Sequence, residues 1–365
     1  MSPSTSLKKL DYIDSLRGLA ILGVLVVHCG VYGTNHLSPG FVKLITAGAN
    51  GVQLFFLASA FTLFLSMQNR FEKERFPIRN FFVRRFFRIA PMYWLGIAYY
   101  LFQDGTGPRY WLGDGAGIST ANIFSNITFL HGMNPYWINS LVPGGWSIGV
   151  EMSFYAILPF LFSKIKNLND AIFFCVSSLM LNAVFHVLMV SYPLIGDLRL
   201  WNEFLVFYFP SQLPVFGMGI ILYFLVNDAA HESRISGFRM LLLSGLVIVL
   251  LCTGRHLFFP QHILFGFAFL LFAFALSRFP LKLIVNPVIN HLGKISFSMY
   301  LVHFAVMHWL TQFHLIDYNK QPVLNYIERF GVVVLITVIL ATCLYHLIET
   351  PFQRAGKRII AKLEK

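Results

Sequence analysis

Two ionisable residues inside apolar stretches could carry acid–base chemistry. His28 lies near the end of the first apolar stretch, and Glu151 lies in a later one that opens after Gly144 and Gly145. Ionisable side chains are costly inside a bilayer, so each is a functional candidate. An imidazole can act as a general base, and a carboxylate can orient it or bind a substrate. The alternatives are a core histidine bonded to a carbonyl and a glutamate paired with an arginine.

Three arginines, Arg84, Arg85 and Arg88, precede Pro91. Their spacings of three and four place them on one face of a helix, with phenylalanines on the other face. This is the pattern of an amphipathic helix at a membrane surface. Pro91 is placed where a new helix can begin. The arginines either anchor a helix end or bind phosphate, and the stretch alone leaves both open.

The first apolar stretch carries further polar residues on the face of His28. Eleven residues, about three helical turns, separate Arg17 from His28, which is a rise of roughly 16 Å. Asp14 lies on the same face. Arg17 is either a simple inner anchor or part of a site.

A similar pattern occurs near the C-terminus. Ser296, Tyr300 and His303 recur at spacings of four and three, so they share a helix face. They either line a polar cavity or form a hydrogen-bonded seam between two helices.

The composition requires membrane helices to position these residues. The chain has 365 residues, of which 56% are hydrophobic and 12% charged, and its mean hydropathy is +0.65. We therefore expect an all-α, polytopic membrane protein. The net charge of +12 does not indicate nucleic-acid binding, because the basic residues do not cluster on a soluble face. The four cysteines are interpreted as small core residues, and neither a disulfide nor a metal site is expected.

Ten apolar stretches are long enough to predict transmembrane helices, with both ends uncertain by a few residues. They lie at about 15–34, 48–67, 89–103, 146–163, 171–191, 204–226, 240–254, 262–277, 295–314 and 323–348.

Charge places the termini. With a cytoplasmic N-terminus, 22 of the 28 Lys and Arg residues fall on the cytoplasmic side, Lys8, Lys9 and Arg234 among them, while Arg255 falls on the other. This bias predicts that both termini are cytoplasmic. No cleavage site follows the first stretch, so we expect it to be retained.

One outer segment, about 104–145, lacks a full apolar stretch and is rich in Gly, Asn and aromatic residues. Residues 121–130 within it could form a short half-membrane or surface helix. Irregular backbone near membrane depth is tolerated only where protein or a water-filled cavity covers it. We therefore expect this segment to cap a cavity on the outer side.

Six motifs now stand in one order along the chain. Together they resemble the acyltransferase-3 family of integral membrane O-acyltransferases over nearly the whole sequence. One departure is Ala60, where the family usually has glycine between serine and phenylalanine. The motifs are 16–20 with His28, 55–61, 84–91, 145–155, 296–303 and 349–351.

The resemblance implies a reaction and roles for residues. The donor would be a cytoplasmic acyl-CoA, most often acetyl-CoA, and the acceptor a hydroxyl of a cell-surface glycan, such as lipopolysaccharide or another polysaccharide, or its lipid-linked precursor. His28 would be the general base and Glu151 its orienter or an acceptor-binding group, with direct transfer and a covalent intermediate both open. Residues 1–365 would form one transmembrane acyltransferase domain in the bacterial inner membrane, without a fused esterase-like domain. The cofactor-binding set would be Arg17, Arg84, Arg85 and Arg88, and the substrate-binding set Asp14, Ser59, Trp146, Ser147, Tyr155, Tyr300 and His303.

Two rival functions share these features. A transporter or flippase for a glycan or lipid carrier would also have many spans and buried ionisable residues, but such proteins often show internal repeats, and we find none here. A non-catalytic membrane sensor that keeps the fold is the second rival. Binding of CoA by the purified protein would separate the enzyme from the transporter.

Overall fold

The computed structural model describes residues 3–33, 36–227, 237–253 and 259–365, with side chains from Asp11 onward. These residues form α-helices joined by turns and short 3₁₀ segments, and they contain no strand. The predicted all-α, multi-pass membrane protein is confirmed. The side chains of Lys8, Lys9, Arg234 and Arg255, which enter the charge bias, lie outside the described residues, as do the last residues of two predicted spans (15–34 and 240–254).

The helices are labelled here in chain order. They are α1 (Pro3–Cys29), α2 (Pro39–Thr46), α3 (Gly51–Arg70), α4 (Pro77–Asp104), α5 (Thr120–Ile127), α6 (Gly145–Lys164), α7 (Leu168–Ser191), α8 (Leu198–Phe207), α9 (Phe209–Asn227), α10 (Gly237–Cys252), α11 (Gln261–Arg278), α12 (Pro287–Lys294), α13 (Ser296–Gln312), α14 (Pro322–Leu344) and α15 (Thr350–Leu363). A π-helical turn, Tyr345–Glu349, joins the last two.

Within the described ranges, seven helical segments are long and apolar enough to cross a bilayer, and each matches one predicted span. The other three predicted spans are helical but do not reach that length or apolarity: α10 has 16 residues, α13 has 17, and the span 89–103 is the second half of α4. The count of ten and the cytoplasmic termini stay predictions. The seven segments are Asp11–Cys29, Pro39–Arg70, Gly145–Lys164, Leu168–Ser191, Leu198–Asn227, Gln261–Arg278 and Pro322–Leu363.

The chain forms two compact units. The first contains Met1–Thr62 and Met218–Tyr345, and the second contains Leu63–Gly217 and His346–Lys365. Helices α3 and α9 each run from one unit into the other. The histidines of interest lie in the first unit, and the arginine motif lies in the second.

α4 is continuous through Pro91, so the prediction that this proline begins a new helix is wrong. Pro77 already occupies the favourable first-turn position. The interior proline removes one backbone hydrogen bond and costs about 3 kcal/mol. Ile89 and Ala90 before it and Met92 and Tyr93 after it are buried. Packing on both sides of the proline therefore keeps the helix intact.

Two glycines bring α1 against α12 in the first unit. A Cβ on Gly18 would meet the backbone oxygen of Ile289 at 2.3 Å, and a Cβ on Gly293 would meet that of Asp14 at 1.8 Å. No side chain fits at either point, so the two backbones touch directly. The Ser15 hydroxyl also donates to Asn290 Oδ1 at 2.5 Å. These contacts fix the part of α1 that carries Arg17.

The cysteines differ in environment. All four are free, and Cys29 and Cys175 are buried as predicted, but Cys343 is exposed. The core assignment is therefore wrong for Cys343. It lies on α14, whose apolar segment is only 17% buried within the protein, so its apolar neighbours face outward.

Candidate functional site

The histidine cluster of the first unit comprises His28 on α1 and Tyr300, His303 and Phe304 on α13. The His28 ring centroid lies 5.3 Å from that of His303 and 4.5 Å from that of Phe304. Tyr300 lies 5.8 Å from His303 by the same measure. No described residue makes a hydrogen bond to the His28 imidazole. The alternative of a core histidine bonded to a carbonyl therefore does not describe His28.

His303 has one satisfied and one unsatisfied nitrogen. The side chain is fully buried, and its Nδ1 lies 3.2 Å from the Met299 carbonyl oxygen. Because a carbonyl oxygen only accepts, Nδ1 carries the proton of the neutral ring and Nε2 keeps a lone pair. Nε2 has no hydrogen-bond partner among the described residues. Buried polar atoms normally have one, so this nitrogen is an acceptor available to a ligand or to His28.

Two residues of α14 hold the end of α1 on which His28 lies. The Tyr326 hydroxyl donates to the Val26 carbonyl at 2.8 Å. The Arg329 guanidinium donates to the Cys29 carbonyl at 3.1 Å and pairs with Asp317. Arg329 is fully buried. These bonds satisfy carbonyls before and after His28 that the ending helix would leave open, and so they fix its backbone.

Arg17 occupies a separate polar cluster in the first unit. It lies 3.4 Å from Asp14 and donates to the Thr62 hydroxyl at 2.9 Å. The Thr62 hydroxyl in turn lies 3.0 Å from the Ser59 carbonyl oxygen. Three predicted site residues, Asp14, Arg17 and Ser59, are thus brought together. Both carboxylate and hydroxyl hold the Arg17 guanidinium in place.

The arginine cluster of the second unit joins α4 to α6. The Tyr155 hydroxyl donates to Glu151 Oε1 at 2.5 Å, and the Arg85 guanidinium lies 5.9 Å from the Tyr155 ring centroid. Glu151 and Arg88 both lie within electrostatic range of Arg85. The Arg85 Nε is buried and has no hydrogen-bond partner among the described residues. The structure thus places Glu151 beside an arginine, as the structural alternative expected, while its pairing with His28 stays a prediction.

Arg84 is engaged differently from its neighbour. Its two terminal nitrogens donate to the two Glu74 oxygens at 2.8 and 3.1 Å, a bidentate pair. Burial would raise the pKa of Glu74, but the hydrogen bonds from Arg84, Asn80 and Arg70 outweigh it and hold this pKa below its usual 4.5. Sequence spacing gave no sign of this pair, because ten residues and a turn separate its members.

The same corner holds the C-terminal helix. Glu364, just after α15, accepts the backbone N–H of Arg75 at 2.8 Å and that of Phe76 at 3.2 Å. It also accepts from Asn80 Nδ2 at 2.7 Å. A carboxylate here complements the N-terminal end of α4. The corner cluster, defined as Glu74, Asn80, Arg84 and Glu364, therefore ties three segments together.

Trp146 and Ser147 lie at the start of α6. The Trp146 ring centroid is 4.6 Å from that of Phe207, and the Ser147 hydroxyl donates to the Gly144 carbonyl at 3.0 Å. A Cβ on Gly145 would meet the Tyr93 hydroxyl at 3.0 Å. The space beside this glycine is therefore filled by protein.

Sequence reasoning missed a buried network beside α6. His131 Nε2 lies 2.9 Å from the Gly145 carbonyl oxygen and 3.1 Å from the Tyr93 hydroxyl. Tyr93 donates to Asn126, which in turn bonds to Asn122. The signal was present in the spacing of four between the two asparagines. The predicted short helix within 121–130 is confirmed as α5, and this network holds it against α4.

The family of the chain is decided by comparison with known proteins. Residues 10–346 match the family model described as an acyltransferase domain. The chain belongs to the acyltransferase-3 family. The resemblance drawn from the six motifs is confirmed. No solved structure matches this acyltransferase-3 chain.

Curated relatives carry matching names. A Staphylococcus aureus (strain COL) protein, provisionally named O-acetyltransferase SACOL0978, is 25% identical over 96% of this chain. O-acetyltransferase OatA of S. aureus (strain NCTC 8325 / PS 47) is 24% identical over 98% of this chain. The chain spans 59% of the length of each relative.

Proposed function

We propose that this acyltransferase-3 protein is a membrane-embedded O-acyltransferase that moves an acyl group, acetyl in the first instance, from acyl-CoA to a hydroxyl of a cell-surface glycan or its lipid-linked precursor. The observation that carries the proposal is the family match over residues 10–346. The names of the curated relatives support O-acetyl transfer. The charge bias supports a donor side at the cytoplasm.

In this proposal His28 is the general base. It removes the proton of the acceptor hydroxyl, the hydroxyl oxygen bonds to the acyl carbon, and the carbon–sulfur bond of the donor breaks. His28 then returns the proton to the departing thiolate, which leaves ester and free CoA thiol. The absence of a hydrogen bond to the His28 imidazole within the described chain supports this role, because a base must have a free lone pair.

His303 supports His28 as a positioning residue. Its Nε2 lone pair can accept an N–H of His28, which would fix one tautomer and direct the other nitrogen at the acceptor. The ring separation of 5.3 Å fits two imidazoles of one polar cluster. Tyr326 and Arg329 act on the backbone of the same segment. In this arrangement α13 positions the ring of His28, and α14 holds its backbone.

Arg85 and Arg88 are proposed to bind CoA phosphates. Guanidinium donates two hydrogen bonds in one plane and so matches phosphate geometry. The buried Nε of Arg85, which finds no hydrogen-bond partner in the part of the chain that the structure describes, supports this role. Arg84 and Arg17 also belong to the predicted cofactor-binding set, but each already pairs with a carboxylate. Phosphate binding there would require exchange of that partner, so we assign the larger share to Arg85 and Arg88.

The first test is CoA binding and turnover by the full chain in detergent. CoA should raise the melting temperature, and acetyl-CoA with an acceptor glycan should release free thiol and form an O-acetyl ester. Dephospho-CoA should stabilise less, because one phosphate is lost. A transporter would show neither thiol release nor ester. Deletion of the gene, followed by NMR of surface glycans, should remove an O-acetyl signal.

A further inference from the structure

The second unit contains a cavity of about 470 Å³ whose walls come mostly from segment 104–145. Two aromatic residues, Tyr136 and Trp137, and two carboxylates, Asp114 and Asp197, line it. The remaining wall is Leu112 and four glycines. Its volume lies within the range of small-molecule sites. Neither the histidine cluster nor the arginine cluster contributes a residue to this wall.

The two carboxylates are presented in different ways. Asp197 caps α8, because its Oδ1 accepts the backbone N–H groups of Arg199 and Leu200 at 3.0 and 3.1 Å. Asp114 is exposed and has no hydrogen bond or ion pair among the described residues. A carboxylate only accepts hydrogen bonds. The cavity therefore offers acceptors, one of them rigidly placed, to a ligand that donates.

Glycine keeps the aromatic and acidic groups accessible. Gly113 has a φ of +56°, and a Cβ there would lie 3.3 Å from Tyr136 Cε1 and 3.9 Å from Asp197 Oδ2. Any side chain at this position would stand between ring and carboxylate. The ring and the carboxylate thus open onto one shared space.

The lining selects by charge. It contains no lysine or arginine, and the adjacent Arg199 lies 3.8 Å from Asp197, which it partly neutralises. An anionic ligand would meet two carboxylates and no cation inside the cavity, so phosphate and uronate groups are disfavoured. Two carboxylates without a third ligating side chain in the lining also make a poor divalent-cation site.

We propose that this cavity is a binding subsite for a neutral or amine-bearing sugar of the acceptor glycan. A sugar ring presents a C–H face that packs on an aromatic ring, and hydroxyls around its edge that donate to carboxylates. A protonated amine would add a charge-assisted bond and a contact with the rings. The description of the sugar as acceptor rests on the function proposed above, whereas sugar binding itself does not.

Gly196 offers a direct test, because a Cβ there meets nothing within 4 Å and the residue lines the cavity. Gly196→Leu should fill the space without strain. Gly107→Leu is the matched control, since Gly107 is equally open in the same unit and lies outside the lining. The probes are tetramers of N-acetylglucosamine, glucosamine and galacturonate, measured by saturation-transfer NMR on the full chain in detergent.

We expect the first two probes to bind and galacturonate not to bind. Gly196→Leu should weaken binding at least tenfold, and Gly107→Leu should match the wild type. Asp114→Asn, which disturbs no bond of the described chain, should weaken the glucosamine tetramer most. The proposal would be overturned if neither expected probe bound, or if galacturonate bound with equal strength. It would also be overturned if Gly196→Leu and Asp114→Asn both kept full binding.

Thermal stabilisation by CoA separates this proposal from the acyl-transfer function. A Gly196→Leu protein that CoA still stabilises is folded, so its loss of sugar binding reports on the cavity alone. In turnover assays the same variant should raise the KM for the glycan and leave the KM for acetyl-CoA unchanged. Absence of CoA stabilisation in the wild type would argue against the donor while leaving the sugar measurement intact.

Discussion

The corner cluster and the histidine cluster are both polar, yet they differ in how their hydrogen bonds are satisfied. Glu74, Asn80, Arg84 and Glu364 all bond to one another or to backbone amides, at distances from 2.7 to 3.2 Å. In the histidine cluster, His303 Nε2 has no partner among the described residues. The corner cluster satisfies its hydrogen bonds without any ligand, whereas the histidine cluster leaves one buried nitrogen without a partner within the described chain.

This difference indicates that the corner cluster stabilises the fold and that the histidine cluster takes part in the reaction. A fully satisfied polar network rigidifies a fold, whereas an unsatisfied buried polar atom is rare and costly. Neighbouring arginines show the same contrast, since Arg84 is locked by Glu74 while the buried Nε of Arg85 is unpaired within the described chain. Changes in the corner cluster should therefore affect stability, and changes at His28 or Arg85 should affect turnover.

Replacing His28 should have the largest effect. His28→Ala should lower acyl transfer by a factor of about 10² to 10⁴, the usual contribution of a general base. Yield and CoA stabilisation should stay near wild type, because no described hydrogen bond of the imidazole is lost. Steady-state thiol release measures the effect. His308→Ala, on α13 like His303 but outside the cluster, is the control. Near-normal turnover by His28→Ala would remove the assigned role.

The two neighbouring arginines give the second test. Arg85→Lys should raise the KM for acetyl-CoA about tenfold, equivalent to about 1.4 kcal/mol, because lysine keeps the charge but loses the planar fork. Arg84→Lys should leave this KM near wild type and instead lower the melting temperature, because a bidentate pair with Glu74 is lost. Equal KM changes in both variants would contradict the division of roles.

Local periodicity was enough to predict helices but not their partners. Seven predicted spans match apolar helices. A helix that crosses a bilayer needs an uninterrupted apolar stretch, and such a stretch can be seen directly in the sequence. The shared face of Tyr300 and His303 followed from their spacing. That this face meets His28 did not, because the two lie on helices separated by most of the first unit's sequence.

Long-range polar pairs left even less trace. Glu364 bonds to Asn80 across 284 positions, and the residues around each of them do not predict this bond.

Close packing of backbones was equally hard to predict. Gly293 looks like an ordinary helix glycine in the sequence, yet the backbone of Asp14 packs directly against it. Pro91 was misassigned for the same reason, since tertiary packing overrode a local helix-start signal.

The backbone support of His28 gives a smaller effect. Tyr326→Phe removes the hydrogen bond to Val26 and should cost about 1 kcal/mol, at most about fivefold in kcat. KM values should not change, because no substrate contact is involved. Tyr318→Phe, which removes a bond to Leu315 in the same unit, is the control. A changed KM for either substrate would point to a direct role for Tyr326.

The corner cluster predicts the smallest effect, a dependence of stability on pH. The pKa of Glu74 in the folded protein lies below its ordinary value of 4.5. The unfolded chain therefore takes up the proton first as the pH falls, and the stabilisation present above pH 4.5 is lost as the pH drops through the folded value. Melting temperatures from pH 6 to 3 should fall more steeply for wild type than for Glu74→Gln. Glu72→Gln, an exposed neighbour, should follow the wild-type curve, and parallel curves for wild type and Glu74→Gln would show that this pair does not stabilise the corner.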